Sequence, residues 1–149
     1  MLLHDRAITL NDLANTYAMK MQYTKAIERY REALSLYIEL AKDEPIRYGL
    51  AIAHLFSNLS IIYLQLGKVE KSESLHINAL KMHRSLAKHN IGRYGLTFVE
   101  CLVDGVLHLK QHTFTLYEAE IILSQIRGHQ KEREELVEVI RKLHTTSVD

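Results

Sequence analysis

Residues 33–50 of the chain are ALSLYIELAKDEPIRYGL, and residues 79–96 are ALKMHRSLAKHNIGRYGL. At an offset of 46 residues, nine of these eighteen positions are identical, where unrelated sequences would share about one. The same offset pairs Tyr17 with Tyr63. A unit that recurs without a gap in register predicts a stacked array, in which each unit buries its apolar face on its neighbour.

Each unit is predicted to contain two helices. After Tyr23 the apolar residues alternate spacings of three and four, the pattern of a helix with one buried stripe. They are Ala26, Ile27, Tyr30, Ala33, Leu34, Tyr37, Leu40 and Ala41. The neighbouring segments show the same rhythm, and polar breaks separate them at residues 20–24, 43–45 and 67–68. Pro45 lies where a helix can begin, because its missing amide proton costs nothing there.

A third unit follows the pattern less closely. Its second helix is predicted to begin at a capping box formed by Thr115 and Glu118 and to stop at Gly128. A closing helix is predicted over about residues 131–145, with one apolar side and one charged side. Its apolar side consists of Leu136, Val139, Ile140 and Leu143. The pattern leaves open whether this helix is separate from the one before it.

Composition narrows the class of protein. The 149 residues are 47% hydrophobic and 25% charged, which fits one folded domain over residues 1–149. A net charge of +1 argues against nucleic acid or an anionic membrane as the partner. No apolar run approaches the roughly 20 residues that a membrane span needs. A single cysteine, Cys101, indicates a reducing compartment, so we expect a cytoplasmic protein.

No sequence motif of catalysis is present. The chain lacks a glycine-rich phosphate loop, a nucleophile elbow and a zinc-protease motif. Cys101 lies beside Leu102 in a predicted helix, where a free cysteine is more often a small core residue than a nucleophile. We therefore expect a protein that is not an enzyme and that uses no cofactor.

Nine histidines raise the question of a metal site. His76 and His83 occupy the repeat positions of two tyrosines in the preceding unit, so packing explains both. His108 and His112 are four residues apart, a spacing that places two imidazoles on one helix face. No cysteine or carboxylate is clearly positioned to complete a ligand set, so we predict no metal.

Large, small and aromatic residues recur at characteristic places in the first two units. In the first unit they are Leu13, Ala14, Tyr17, Ala26, Tyr30 and Ala33, and in the second Leu59, Ser60, Tyr63, Gly67, Ser72 and Ala79. Small residues are needed where two helices cross closely. This pattern resembles the tetratricopeptide-repeat family over roughly residues 7–127. The 46-residue period exceeds the 34 of the common form and is similar to a long-helix variety.

The resemblance implies an all-α fold: a right-handed α-solenoid of about three helical hairpins plus a C-terminal capping helix. The hairpins are expected over roughly residues 7–52, 53–98 and 99–128. In this family the first helix of each hairpin lines a concave groove. Carried over, the groove residues are Asn11, Asp12, Asn15 and Met19, then His54, Ser57, Asn58, Ile61 and Gln65, then Glu100, Val103, Asp104 and Leu107.

The groove residues also indicate the chemistry of a partner. One subgroup of the family clamps a partner's C-terminal carboxylate with two asparagines and several cations. Asn15 and Asn58 match the asparagines, but Asn11, Glu100 and Asp104 occupy the cationic positions. The groove is therefore expected to favour a neutral or basic segment over an acidic one. The competing interpretation, weighed equally, is that these polar residues only solvate an open helix face.

The repeated Arg-Tyr-Gly-Leu motif, at residues 47–50 and 93–96, has two interpretations. The favoured one is a helix-entry module, in which glycine permits a tight connection and tyrosine and leucine pack into the previous hairpin. The other is a ladder of Arg-Tyr pairs presented to a ligand.

These features favour a non-enzymatic scaffold that binds a peptide or a helix of a partner protein in the groove. The first alternative is a homo-oligomer that assembles through the apolar ends of the array. The second is the peptide-sensing part of a larger regulator, for which this chain would be a fragment. The sequence identifies neither the partner nor the pathway.

Overall fold

A computed structural model describes residues 2–109 and 114–146. The described residues form seven helices and no strand, which confirms the predicted all-α repeat fold. The helices are α1 (Leu3–Met19), α2 (Tyr23–Ala41), α3 (Pro45–Gln65), α4 (Val69–His89), α5 (Ile91–Leu109), α6 (Phe114–Gln125) and α7 (Gln130–Thr146). The chain divides into two compact units at Met82 and His83.

Most helix ends lie where the sequence predicts them. Pro45 is the first residue of α3, and α7 is separate from α6, with Gly128 between them at a φ of +80°. The predicted capping box is wrong. Since α6 begins at Phe114, Thr115 lies inside the helix, and the carboxylate of Glu118 forms an ion pair with Arg84 instead.

The turns after α1 and α3 are closed by the same hydrogen bonds, 46 residues apart. In each turn a backbone amide donates to a tyrosine carbonyl, from Gln22 to Tyr17 at 2.9 Å and from Lys68 to Tyr63 at 2.8 Å. This closure needs one residue in the left-handed region. Gly67 supplies it at a φ of +71°, but the first turn uses Met21 at +59°.

Replacing Met21 with glycine is expected to stabilise the protein. A side chain in the left-handed region costs about 1 kcal/mol that glycine avoids, so we expect Met21→Gly to raise the free energy of unfolding by about 0.5–1 kcal/mol. Urea denaturation checks this. Lys20→Gly is the control, because Lys20 has a φ of −86° and glycine brings no relief there. Equal effects of the two changes would contradict this account.

Close helix crossings organise the first unit. Ala14 and Ala26 are fully buried in the hairpin of α1 and α2. The repeat positions of these alanines are Ser60 in α3 and Ser72 in α4, both buried. Ser60 Oγ donates to the Ser72 carbonyl at 2.8 Å, and Ser72 Oγ donates to the Ser60 carbonyl at 2.7 Å. Hydroxyls are therefore accommodated in this core because both are fully hydrogen-bonded.

The second unit contains the end of α4 together with α5, α6 and α7. Phe98 and Leu102 of α5 are buried in its core, and Ile140 of α7 is 1% exposed, so the predicted closing helix is packed onto this unit. Gly95 lies within α5, so its predicted role in a tight connection is wrong. A Cβ atom at Gly95 would lie 2.8 Å from Cδ1 of Ile126, so glycine permits close packing instead.

Gly95→Ala is expected to lower the free energy of unfolding by about 1–3 kcal/mol, because the new methyl group overlaps Ile126. The double variant Gly95→Ala/Ile126→Val removes the overlapping Cδ1 atom and should recover part of this loss. Thermal unfolding of the unchanged protein, the two single variants and the double variant measures the coupling free energy between the two positions. Gly92→Ala is the control, because its Cβ would meet only Asn90 Oδ1, at 3.5 Å. Additive effects in the cycle would contradict the proposed overlap.

Candidate functional site

In the first unit, the predicted groove residues of α1 and α3 lie on the solvent side of their helices. We call this set the α1/α3 face. It consists of Asn11, Asp12, Asn15 and Met19 on α1, and His54, Ser57, Asn58, Ile61 and Gln65 on α3. Asn11, Asn15, Ser57 and Asn58 are half-buried, and the other members are exposed. Met19 is 79% exposed and Ile61 is 53% exposed, so the face contains apolar as well as polar surface.

Tyrosine side chains of α2 contact α1 and α3 from the interior of the first unit. The ring of Tyr37 lies 6.0 Å from the ring of Tyr48 on α3. Burial, followed by the charge of Asp12 on α1 and the proximity of Tyr48, raises the pKa of Tyr37. His4 of α1 also stacks near Tyr48, at 5.7 Å between ring centroids. Aromatic rings of α1, α2 and α3 therefore lie close together in the first unit.

A hydrogen bond fixes one amide of the α1/α3 face. The buried hydroxyl of Tyr30 donates to Oδ1 of Asn15 at 2.6 Å, and burial raises the pKa of Tyr30. Because the tyrosine holds the amide oxygen, the NH₂ group of Asn15 is left to donate elsewhere. This support was not predicted from the sequence, and it makes Asn15 a structural residue as well as a candidate ligand.

A comparison of the two repeats could have revealed that pair. The repeat position of Tyr30 is His76, and the repeat position of Asn15 is Ile61, so both partners change together. His76 is buried, and its Nε2 atom has no hydrogen-bond partner among the described residues. Burial lowers the pKa of His76, which favours the neutral imidazole.

Three other amides of the α1/α3 face have no hydrogen-bond partner within the described part of the chain. The side-chain amides of Asn11, Asn58 and Gln65 make no hydrogen bond there. Partial burial lowers the pKa of His54, so this histidine is neutral at pH 7. The face therefore offers several neutral donors and acceptors and one carboxylate, that of Asp12.

In the second unit, the predicted residues of α5 separate into two groups. Glu100, Asp104 and Leu107 are exposed and form what we call the α5 face. Val103 is 4% exposed, so its predicted place in the groove is wrong. Partial burial, followed by the charge of Asp104, raises the pKa of Glu100. Partial burial also raises the pKa of Asp104, although the nearby His108 acts in the opposite direction.

Neutralising Asp104 is expected to stabilise the folded protein at pH 7. Its pKa is raised on folding, so the unfolded chain loses this proton first, and stability falls as the pH rises through that interval. Asp104→Asn should therefore raise the melting temperature at pH 7, and the difference should shrink as the pH falls toward about 4, the ordinary aspartate pKa. Thermal unfolding between pH 4 and pH 7 checks this.

Glu135→Gln on the exposed side of α7 is the matched control, since Glu135 makes no ion pair among the described residues. A gain of similar size in this variant would show that net charge, and not the partial burial of Asp104, is responsible.

The repeated Arg-Tyr pairs have the same arrangement in α3 and in α5. Each arginine lies over the ring of its own neighbour, Arg47 at 5.2 Å from Tyr48 and Arg93 at 5.3 Å from Tyr94. Both tyrosines are buried. The pairs therefore cover core aromatic rings in the first turns of α3 and α5, as the helix-entry interpretation predicts.

The candidate reactive groups are placed as follows. Cys101 is buried, as predicted. His108 is exposed on α5, but His112 lies outside the described residues. Within residues 2–109 and 114–146, no three His, Cys, Asp or Glu side chains are grouped so that they could hold a metal ion. No described helix is both long enough and apolar enough to cross a bilayer.

Comparison with known proteins adds one finding. A family model described as "Tetratricopeptide repeat" matches residues 6–46 and 52–90, which together make up more than half of the chain. The two matches cover most of α1 and α3 and all of α2 and α4. No curated protein matches the chain.

Proposed function

The chain belongs to the tetratricopeptide-repeat family, whose repeats generally mediate protein–protein interaction, and we propose that it is a non-enzymatic scaffold for a peptide or helix. The bound segment is neutral or basic. It is held by the first helices of the hairpins of the first unit, through the α1/α3 face. The α5 face of the second unit is a separate surface that suits the same kind of segment.

The hydrogen bond between Tyr30 and Asn15 is the observation that carries this proposal. A buried hydroxyl fixes the amide oxygen at 2.6 Å, so the NH₂ group is oriented before any partner arrives. A pre-oriented donor loses less side-chain entropy on binding than a mobile one. It suits a backbone carbonyl of a bound segment, since such a carbonyl is an acceptor.

The charges of the two faces support the preference for a neutral or basic segment. Asp12 is the single charged side chain of the α1/α3 face at pH 7. On the α5 face, partial burial and mutual repulsion raise the pKa of Glu100. A lysine or arginine of a partner would relieve that repulsion, whereas an acidic segment would add to it.

Arrayed peptides of neutral, basic and acidic composition, probed with the full chain, test the proposal. We expect binding to neutral and basic peptides and little binding to acidic ones. The double variant Asn11→Ala/Asn58→Ala removes two amides without internal partners, so the fold should be retained. Its binding should fall by roughly fivefold to tenfold, about one kcal/mol for the loss of hydrogen bonds.

Tyr30→Phe is a second, independent variant. It leaves every residue of the α1/α3 face in place and removes only the hydroxyl that orients Asn15. We expect weaker peptide binding by roughly twofold to fivefold, in line with the modest net value of one hydrogen bond. Circular dichroism checks that the helices are retained. A matched control is Tyr117→Phe, an exposed tyrosine of α6 in the second unit.

Two results would contradict the proposal. One is binding that is unchanged in the double variant and in Tyr30→Phe. The other is a concentration-dependent dimer by light scattering that the double variant leaves intact, together with no peptide binding. That combination would favour self-assembly through the ends of the array.

A further inference from the structure

A cleft of about 490 Å³ lies within the second unit. Its walls come from the last turns of α4, the beginning and middle of α5, and α6. Its apolar lining includes Ala87, Ile91 and Ile122, and its polar lining includes Lys88 and Gln125. A volume of this size is in the range of sites that hold small molecules or a few peptide side chains.

The cleft is on the opposite side of α5 from the α5 face. Phe98 lines the cleft, whereas Glu100 belongs to the α5 face. Two residues along an α-helix correspond to a rotation of about 200°. The cleft and the acidic α5 face are therefore distinct surfaces of one helix, and a ligand of one does not occupy the other.

An ion pair joins two of the helices that form the wall of the cleft. Arg84 of α4 donates from Nε and Nη2 to the two carboxylate oxygens of Glu118 on α6, both at 3.1 Å. The same guanidinium lies over the ring of Phe98, at 5.3 Å. The bidentate pair neutralises Glu118 and joins α4 to α6. The carboxylate of Glu118 is thus already paired with Arg84, so it does not attract a cationic ligand to the cleft.

Among the described residues that line the cleft, Lys88 is a cation without a counter-charge. At its repeat position, Lys42 forms an ion pair with Glu39 at 2.6 Å. The repeat position of Glu39 in the second hairpin is Ser85, so Lys88 has lost that counter-charge. Lys88 makes no ion pair or hydrogen bond among the described residues.

The positions next to Lys88 also become more positively charged from the first hairpin to the second. Ile38 of the first hairpin corresponds to Arg84, and Asp43 corresponds to His89, which also lines the cleft. Ile38, Glu39, Lys42 and Asp43 sum to a charge of −1, while Arg84, Ser85, Lys88 and His89 sum to +2 with neutral histidine. The charge of this part of α4 has therefore been inverted, and the cleft as a whole keeps a charge of +1, because Glu118 offsets Arg84.

We propose that this cleft binds an acidic linear segment of a partner protein, in which a large apolar residue lies next to Asp or Glu. The apolar side chain packs against Ile91 and Ile122, and the carboxylate pairs with Lys88. The side-chain amide of Gln125 bonds to the backbone of the segment, because it can both donate and accept. This site is independent of the function proposed for the α1/α3 and α5 faces, and its ligand has the opposite charge.

Calorimetric titration of the full chain with the peptide acetyl-Gly-Glu-Phe-Asp-Gly-amide tests the proposal. We expect saturable binding that weakens at high salt. Replacing Glu and Asp of the peptide by Gln and Asn, or Phe by Ser, should each weaken binding by roughly fivefold or more. In amide NMR spectra, the signals that move should belong to residues 84–91 and 118–125.

Lys88→Glu and Lys81→Glu form a matched pair, since both lysines are exposed on α4 but only Lys88 lines the cleft. Lys88→Glu should weaken peptide binding by roughly tenfold, because it replaces an attraction with a repulsion. Lys81→Glu should leave binding nearly unchanged. Gln125→Ala, at an exposed position, gives a second readout with little risk to the fold.

Three results would overturn the proposal: no saturable heat with the acidic peptide, equal weakening by Lys88→Glu and Lys81→Glu, or NMR shifts confined to the α1/α3 face. The third would place the acidic peptide on the surface assigned to a neutral or basic one. Loss of binding to the neutral and basic peptides in Asn11→Ala/Asn58→Ala concerns the other surface alone, so the two proposals fail separately.

Discussion

Each hairpin of the first unit depends on a close crossing of two helices at small side chains. Ala14 and Ala26 are fully buried in the first hairpin, and Ser60 and Ser72 take their places in the second. Because the backbones approach closely there, Tyr30 one turn further along α2 can reach the outer side of α1. The chemistry of the α1/α3 face therefore follows from the packing beneath it.

The helices themselves could be predicted from the sequence, because the repeat and the apolar spacing act locally. Pro45 and Gly128 mark real boundaries for the same reason. The capping box predicted at Thr115 is wrong because the spacing of a capping box also occurs inside helices. Met21 carries no sequence signal for its left-handed backbone, which the closing hydrogen bonds of the turn impose.

The candidate site was predictable only in outline. The family resemblance assigned Val103 and Asp104 alike to the groove, but α5 is buried on more than one side, and only Asp104 of the two is exposed. The support of Asn15 by Tyr30 joins residues on two helices, and no local pattern contains it. The charge inversion around Lys88 is visible in the sequence, but its meaning requires the cleft.

The matching turns after α1 and α3 bear on how such a chain can change length. Both joints close with the same pattern of backbone hydrogen bonds, and they are 46 residues apart. A segment that begins at one of these turns and ends at the other can therefore be inserted or removed without changing the backbone geometry of the turn. Whole repeats can be gained or lost by duplication or deletion of the coding sequence without a new kind of joint, while each copy is free to diverge in charge.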